Sequence, residues 1–319
     1  MRSTGASNGA VNRPRNRPRA GMRACFAASG LALALAAGGA RAAPPDLSEG
    51  VAHALVVGVD RYAALPHLRG AVADATDIAD TVRRLGARDV VLLTDEAADR
   101  VAILKAAEAM RARTRKDELV LVSVAGHGAL EPERRRGATP DGKEAVFLLS
   151  GFSPNGPGTA QRILDAEFMR IIRGFEEKGA RVLFVADSCS GGGLARGVDG
   201  RSGEIVYRAA PRYAIAQDEL QPIAEPRDSG ATELSFKRSL FLAAVEKDQK
   251  SPEVRPPGES GWRGALSYAL ARGVEGSADA DGDGAVTVRE LFDYVRQVSY
   301  QMSDQRQEVV TRAAPDVDQ

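Results

Sequence analysis

Short uninterrupted runs of apolar residues alternate along the chain with stretches of helical spacing. The runs predicted as strands are residues 53–59, 89–94, 118–124, 146–149, 181–186 and 239–245. The stretches predicted as helices are residues 71–86, 99–114, 164–179, 264–273 and 288–299. Strands that are apolar throughout, rather than at alternate positions, are typical of a parallel sheet covered on both faces. The predicted fold class is therefore α/β.

The first 42 residues differ from the rest, because they contain seven arginines and no acidic residue. A basic stretch ends at Arg23, a short apolar stretch follows, and small residues precede a cleavage position after Ala42. We predict a secretory signal peptide over residues 1–42, a linker over residues 43–50, and an exported protein. An uncleaved anchor is the alternative, although the apolar stretch is short for a membrane span and no other segment approaches 18 apolar residues.

The formal net charge of zero conceals an acidic mature chain. Without the seven N-terminal arginines, 36 basic residues stand against 43 acidic ones, which leaves a net charge of −7. This balance gives no support for nucleic-acid binding.

The chain contains two cysteines, and one of them lies in the predicted signal peptide. Cys25 would leave with that segment, so Cys189 would be the only thiol of the mature protein. A lone thiol in an oxidising compartment is a liability, which favours a reactive role over a packing role.

His127 and Cys189 each follow an apolar strand, where parallel sheets place their functional sites. An imidazole beside a thiol raises the thiolate fraction and then protonates a leaving amine. The backbone N–H groups of Gly128 and Cys189 are predicted to form an oxyanion hole. The alternative is a structural histidine and a buried inert thiol.

Several motifs resemble the caspase-like superfamily, which includes metacaspases and bacterial relatives in peptidase family C14. They are His127-Gly128, Asp187-Ser188-Cys189-Ser190-Gly191, the opening strand HALVVGVDRY with Leu68-Arg69-Gly70 and Asp74-Ala75, and AAVEKDQKSPEV with Gly261-Trp262. The resemblance covers roughly residues 52–300.

The resemblance implies a three-layer caspase-like fold with a mostly parallel six-stranded sheet and a His127–Cys189 dyad that requires no cofactor. It also implies that Asp74 and Asp187 bind an Arg or Lys that precedes the scissile bond, so the partners would be proteins or peptides with basic residues. Charge-assisted pairing of carboxylates with a guanidinium makes this physically reasonable. The alternatives are a helix N-terminal acid for Asp74 and a structural acceptor for Asp187.

The sequence departs from metacaspases at three places. Ala71 stands where a second cysteine is often found, and Ala125 replaces a common serine. The acidic cluster that binds calcium in some metacaspases is matched only by Asp165, so calcium activation by that route is not expected.

Residues 279–290 (DADGDGAVTVRE) match a twelve-residue EF-hand loop. The predicted calcium ligands are Asp279, Asp281, Asp283, Ala285 through its carbonyl, Thr287 and Glu290. EF-hands usually occur in pairs and only one is found here. An acidic turn that caps the last helix explains the same residues, and the sequence leaves both interpretations open.

We predict a peptidase domain over residues 51–300, divided into a large-subunit-like part (51–193), a mobile linker (194–235) and a small-subunit-like part (236–300). A polar tail follows over residues 301–319. Seven basic residues in or beside the linker make it a candidate self-cleavage or gating segment, although a solvated surface loop explains them equally well. They are Arg196, Arg201, Arg208, Arg212, Arg227, Lys237 and Arg238.

Three functions compete at this point. The first is an active cysteine endopeptidase, the second is an idle caspase-like domain that acts as a binding scaffold, and the third is a calcium-responsive structural protein. The intact pair of His127 and Cys189 favours the first. The natural substrate and the oligomeric state do not follow from the sequence.

Overall fold

The computed structural model describes residues 50–134, 137, 139–189, 196–199, 203–215 and 236–314. The predicted signal peptide and nearly all of the linker that follows it lie outside the described residues. None of the helices within the described ranges is long and apolar enough to cross a membrane.

The described residues form strands and helices in alternation over most of the chain. The strands are β1 (Val51–Gly58), β2 (Asp89–Thr94), β3 (Leu119–Ala125), β4 (Gly128–Pro132), β5 (Lys143–Leu148), β6 (Arg162–Leu164), β7 (Arg181–Asp187), β8 (Arg196–Asp199), β9 (Gly203–Val206), β10 (Ser239–Ala243), β11 (Glu253–Val254), β12 (Arg263–Gly264) and β13 (Val310–Ala313). The α-helices are α1 (Ala71–Arg84), α2 (Arg100–Arg113), α3 (Asp165–Glu176), α4 (Ala265–Arg272) and α5 (Val288–Met302).

Six strands form the central sheet, in the spatial order β13-β10-β7-β3-β1-β2. Every pairing in it is parallel except that of β10 with β13. The predicted α/β class with a mostly parallel six-stranded sheet is confirmed.

Two apolar cores cover the two faces of this sheet. Along β1, Leu55 and Val57 pack into the core that includes residues of α2 and α3. The intervening Ala54 and Val56 pack into the other core, with residues of α1, α4 and α5. Successive strand residues point to opposite faces, so a strand that is buried on both faces must be apolar throughout. This confirms the prediction of helices on both faces.

The end of the domain and the position of one strand differ from those predicted. The domain does not end at residue 300, because β13 pairs with β10 as the sixth strand of the sheet. Thr311 and Arg312 give this edge strand little apolar character, which is why no apolar run marked it. The short strand predicted at 146–149 belongs to a separate antiparallel sheet, β4-β5-β6.

Helix α1 lies very close to the end of β1. A side chain at Gly58 would clash with the carbonyl of Ala71 and with Ala75. The carboxylate of Asp60 accepts a hydrogen bond from the N–H of Ala71 at 2.8 Å and thereby supplies negative charge at the positive end of the helix. These contacts fix the first turn of α1 and place Asp74 in the interior, with none of its surface exposed.

Candidate active site

The register of β3 with β7 brings His127 and Cys189 to the same point of the sheet. Ala125 pairs with Asp187 at the carboxyl ends of these strands, and His127 and Cys189 each lie two residues further along. The backbone segments that follow β3 and β7 lie so close together that a side chain at Gly128 would overlap the backbone of Cys189. The structure therefore brings together the two residues that the sequence singled out.

The backbone carbonyl oxygen of Arg208 occupies the predicted oxyanion hole. It accepts hydrogen bonds from the N–H of Gly128 at 3.1 Å and from the N–H of Cys189 at 3.2 Å. Two donors that converge on one carbonyl are the arrangement that stabilises the oxyanion of an acyl-transfer transition state.

His127 is fully buried and its ring is held by a second carbonyl. Its Nε2 lies 2.8 Å from the carbonyl oxygen of Pro66, so the proton of the neutral ring belongs on Nε2 and Nδ1 carries the lone pair. In the described part of the chain Nδ1 has no hydrogen-bond partner. Burial lowers the pKa of His127 to about 4, against the opposing effect of the backbone carbonyls of Pro66 and Arg208. The ring of Tyr62 lies beside it, and its hydroxyl oxygen accepts the N–H of His127 at 2.7 Å.

The thiol of Cys189 is also fully buried. Its Sγ accepts a hydrogen bond from the N–H of Ser251 at 2.7 Å. Burial raises the pKa of Cys189 to about 12, because a thiolate without water is costly and the nearby Asp187 adds repulsion. In this state the thiol is protonated at neutral pH.

Three carboxylates surround the guanidinium of Arg208 in a closed acidic pocket. Its Nη2 lies 2.5 Å from Asp74 and 3.6 Å from Glu253, and its Nη1 lies 3.1 Å from Asp187. The side chains of all four residues have no exposed surface. The predicted pair of acidic residues thus lies together, and Glu253 adds a third carboxylate.

Hydrogen bonds from the backbone and a second arginine hold the acidic residues in place. Asp74 accepts the N–H of Gly264 at 2.7 Å and the Nε of Arg263 at 2.9 Å. Burial raises the pKa of Asp74 to about 7, although Arg208 opposes this shift. Burial by itself would lower the pKa of Arg208. The negative charges of Asp187, Asp74 and Glu253 outweigh that effect and raise the pKa above its ordinary value. The pocket is therefore adapted to a cation.

Residues 206–210 lie across the site, with a bend at Arg208. The N–H of Arg208 donates to the carbonyl of Ser251 at 3.0 Å, and Tyr207 forms an antiparallel bridge with Pro252. On the other side, the N–H of Ala210 donates to the carbonyl of Gly128 at 3.0 Å. This part of the predicted mobile linker over residues 194–235 therefore pairs with the rest of the domain.

Sequence reasoning missed several residues of the site. Ser251 and Glu253 lie in a segment that was matched to the family only as a whole. A side chain at Gly264 would clash with both Asp187 and Arg208, so this glycine leaves room for the guanidinium. Tyr62 is the last residue of the opening motif, which was matched to the family only as a whole.

The EF-hand-like loop brings three of its predicted ligands together. One carboxylate oxygen from each of Asp279, Asp281 and Asp283 lies within 4.8 Å of the others. Glu290 instead forms a capping box at the start of α5, where it accepts the N–H and the hydroxyl of Thr287 at 2.9 and 2.8 Å. Helix capping thus occupies Thr287 and Glu290, and the N–H of Ala285 donates to the carboxylate of Asp283 at 2.8 Å.

The fold and the site together define a class of protein: an α/β domain with a thiol and an imidazole at adjacent strand ends, beside an acidic pocket. The caspase domain family matches residues 51–314, and the chain belongs to this family. Membership suggests cysteine peptidase activity.

A solved bacterial structure shares the fold. Protein GSU0716 from Geobacter sulfurreducens superposes with a TM-score of 0.59 at 20% identity, over 85% of this chain and 96% of that one. A structure described as pro-sf-caspase-1 gives a TM-score of 0.49 at 14% identity, over 86% and 92%. No curated protein matches the sequence.

The buried pairing of Asp74 with Arg208 predicts a large effect on stability. We expect Asp74→Ala to lower the free energy of unfolding by about 3 kcal/mol or more, because it leaves a buried guanidinium short of a partner. Asp80→Ala, on the half-exposed side of the same helix, should change it by less than about 0.5 kcal/mol. Urea denaturation in a Cys189→Ala background measures both, and equal effects would contradict the buried ion pair.

Proposed function

We propose that the protein is a cysteine endopeptidase that cleaves after Arg, and less readily after Lys. One observation carries the proposal: the carbonyl of Arg208 lies in the oxyanion hole while its side chain fills the acidic pocket. An arginine of a substrate can adopt the same position, with its carbonyl carbon presented to the thiol of Cys189.

The groups at the site supply each step of peptide hydrolysis. The thiol proton moves to Nδ1 of His127, and Sγ attacks the carbonyl carbon while the N–H groups of Gly128 and Cys189 stabilise the oxyanion. The C–N bond breaks as the imidazolium protonates the leaving amine. Water then hydrolyses the thioester, which releases a carboxylate and restores the thiol. No cofactor is needed for these steps.

The shape of the pocket supports a preference for Arg over Lys. Asp74 and Asp187 contact different nitrogens of the same guanidinium, a fork that a single ammonium group cannot reproduce. A substrate with Asp at this position would meet three carboxylates and be repelled. Protein or peptide substrates with basic residues are therefore the proposed partners.

The scaffold alternative accounts for the fold but not for the details of the site. A binding module has no need of two N–H donors that converge on one carbonyl, or of a buried imidazole whose Nδ1, among the described residues, has no hydrogen-bond partner. These features favour the peptidase.

Fluorogenic peptides with Arg, Lys or Asp before the reporter test the function directly. We expect hydrolysis in the order Arg, then Lys, with none after Asp. Cys189→Ala and His127→Ala should each lower kcat by about a thousand-fold or more, since the dyad acts as a unit. A folded wild-type protein that hydrolyses none of the peptides and resists a thiol-directed arginine probe would overturn the proposal.

A matched pair of glycine substitutions tests the pocket. Gly264→Ala puts a methyl group where the guanidinium contacts Asp187, whereas Gly261→Ala points into open space. We expect Gly264→Ala to lower kcat/KM for Arg peptides by about 100-fold, roughly the loss of one charge-assisted pair of 1.5–3 kcal/mol. Gly261→Ala should match the wild type. Equal kinetics in both variants would show that substrates do not use this pocket.

We also propose that residues 279–290 bind calcium, with Asp279, Asp281 and Asp283 as the first ligands. The convergence of their carboxylates supports it, since such oxygens are the ligands that Ca²⁺ prefers. Thr287 and Glu290 would have to exchange their helix-capping bonds for the ion, so the binding should be weak.

Calorimetric titration tests this second proposal. We expect a Kd on the order of 10⁻⁴ M for a single loop of this kind. Asp279→Ala should abolish the binding heat, and Asp293→Ala, an exposed change on α5, should leave it unchanged. Identical titrations for the two variants would place any calcium elsewhere.

We further propose export through residues 1–42 and self-processing within residues 194–238. The arginine-rich start with its short apolar stretch supports the first, and the basic residues of the linker support the second.

A further inference from the structure

Beyond Arg208 the chain follows the edge of the small sheet β4-β5-β6, of which β4 is an outer strand. Ala209 forms a parallel bridge with Gly128 at the start of β4, and the carbonyl of Gly128 accepts the N–H of Ala210 at 3.0 Å. Main-chain pairing with an edge strand is a common way to bind an extended peptide. Since Arg208 lies as the arginine before a scissile bond would, the residues after it lie where the leaving side of a substrate would run.

Tyr213 makes a second contact with β4, further along the same edge. Its hydroxyl donates a hydrogen bond to Oε1 of Glu131 at 2.8 Å. Its ring lies against that of Phe152, with the centroids 5.0 Å apart and an interplanar angle of 55°, a separation that is favourable for aromatic pairs. Phe152 is fully buried, so the wall that receives the tyrosine belongs to the core of the domain. Both the ring and the hydroxyl of Tyr213 are thus held.

The carboxylate of Glu131 is fixed on its other side by two arginines. Its Oε2 lies 3.0 Å from Nε of Arg162 and 3.6 Å from Nη2 of Arg134. The side chain of Arg162 has no exposed surface, and those of Glu131 and Arg134 are nearly as buried. The arginines hold Oε2, which leaves Oε1 for the segment that runs along β4. A buried carboxylate oxygen that lacks a donor is costly, so this place favours a side chain that brings a hydroxyl group.

We propose that Glu131 and Phe152 form a subsite for a tyrosine at the fifth position after the scissile bond of a protein substrate. This inference rests on the proposed function and adds to it a second recognised residue, on the opposite side of the bond from the arginine. In this structure the chain's own Tyr213 occupies the subsite, five residues after Arg208. The preferred substrates therefore carry Arg, four intervening residues and then Tyr.

The contacts favour one position and one kind of side chain. The neighbours Arg212 and Ala214 are exposed, so the positions just before and after the tyrosine are not enclosed. A phenylalanine could fill the same space, but it would leave Oε1 of Glu131 without its donor. Burial and the charge of Glu131 raise the pKa of Tyr213, which keeps its hydroxyl protonated and able to donate. A site built to hydrogen-bond a hydroxyl group discriminates strongly against the analogue that lacks it.

Internally quenched peptides with a single Arg test the subsite. The fifth residue after that Arg is Tyr, Phe or Ala, and a fourth peptide carries the Tyr one position earlier. We expect kcat/KM for the Tyr peptide to exceed that for the Phe peptide by about 10-fold or more, the size expected for a hydrogen bond to a charged group, and the displaced Tyr to lose this advantage. Glu131→Gln should lower the Tyr-to-Phe ratio, because a neutral acceptor binds the hydroxyl less strongly. Glu108→Gln, an exposed change on α2, should retain the wild-type ratio.

The outcomes separate this inference from the proposed function. A wild type that hydrolyses the Arg peptides at one rate, whatever their fifth residue, would refute the subsite alone. A wild type that hydrolyses none of them would refute the peptidase, and fluorescence anisotropy of the labelled peptides on Cys189→Ala then decides about the subsite. Tighter binding of the Tyr peptide supports it, and equal binding or none overturns it. If circular dichroism shows that Glu131→Gln does not fold, the comparison of the four peptides on the wild type decides instead, because it needs no variant.

Discussion

The pairing of β3 with β7 is the constraint on which the site depends. Ala125 opposite Asp187 sets the backbone of His127 and of Cys189 at the same level of the sheet and aligns the N–H groups of Gly128 and Cys189. Because strand side chains alternate between faces, a slip of one residue would send every buried side chain of β7 to the other face. The two apolar cores resist such a slip, so packing far from the site maintains its geometry.

In the proposed peptidase, the same acidic pocket would govern both which side chain is recognised and when the site is accessible. Three buried carboxylates are costly without a cation, because burial penalises each charge and each repels the others. A guanidinium offsets that cost, and the guanidinium found there belongs to Arg208 of the same chain. A pocket selective for arginine is therefore also a pocket that an internal arginine can close, and Arg208 occupies it.

The sequence predicted the parts of the molecule that local patterns encode. Continuous apolar runs revealed the parallel strands, and strand ends singled out His127 and Cys189. Family resemblance, rather than any local pattern, supplied Asp74 and Asp187. The sixth strand escaped notice because an edge strand needs few apolar residues, as Thr311 and Arg312 show. The anchored residues 205–210 escaped because ion pairs and backbone bonds from distant segments hold them, and because the Gly-rich, charged stretch before them favoured the prediction of a linker.

The protonation states of the dyad connect the closed pocket to the rate of the chemistry. Burial is the largest cause both of the raised pKa of Cys189 and of the lowered pKa of His127. Both shifts oppose transfer of the thiol proton to the imidazole while Arg208 fills the pocket. Departure of Arg208 would admit water, and solvation would move the two pKa values toward each other. In the proposed peptidase, a site without Arg208 would therefore form the thiolate more readily, so residues 206–210 would control the nucleophile as well as the pocket.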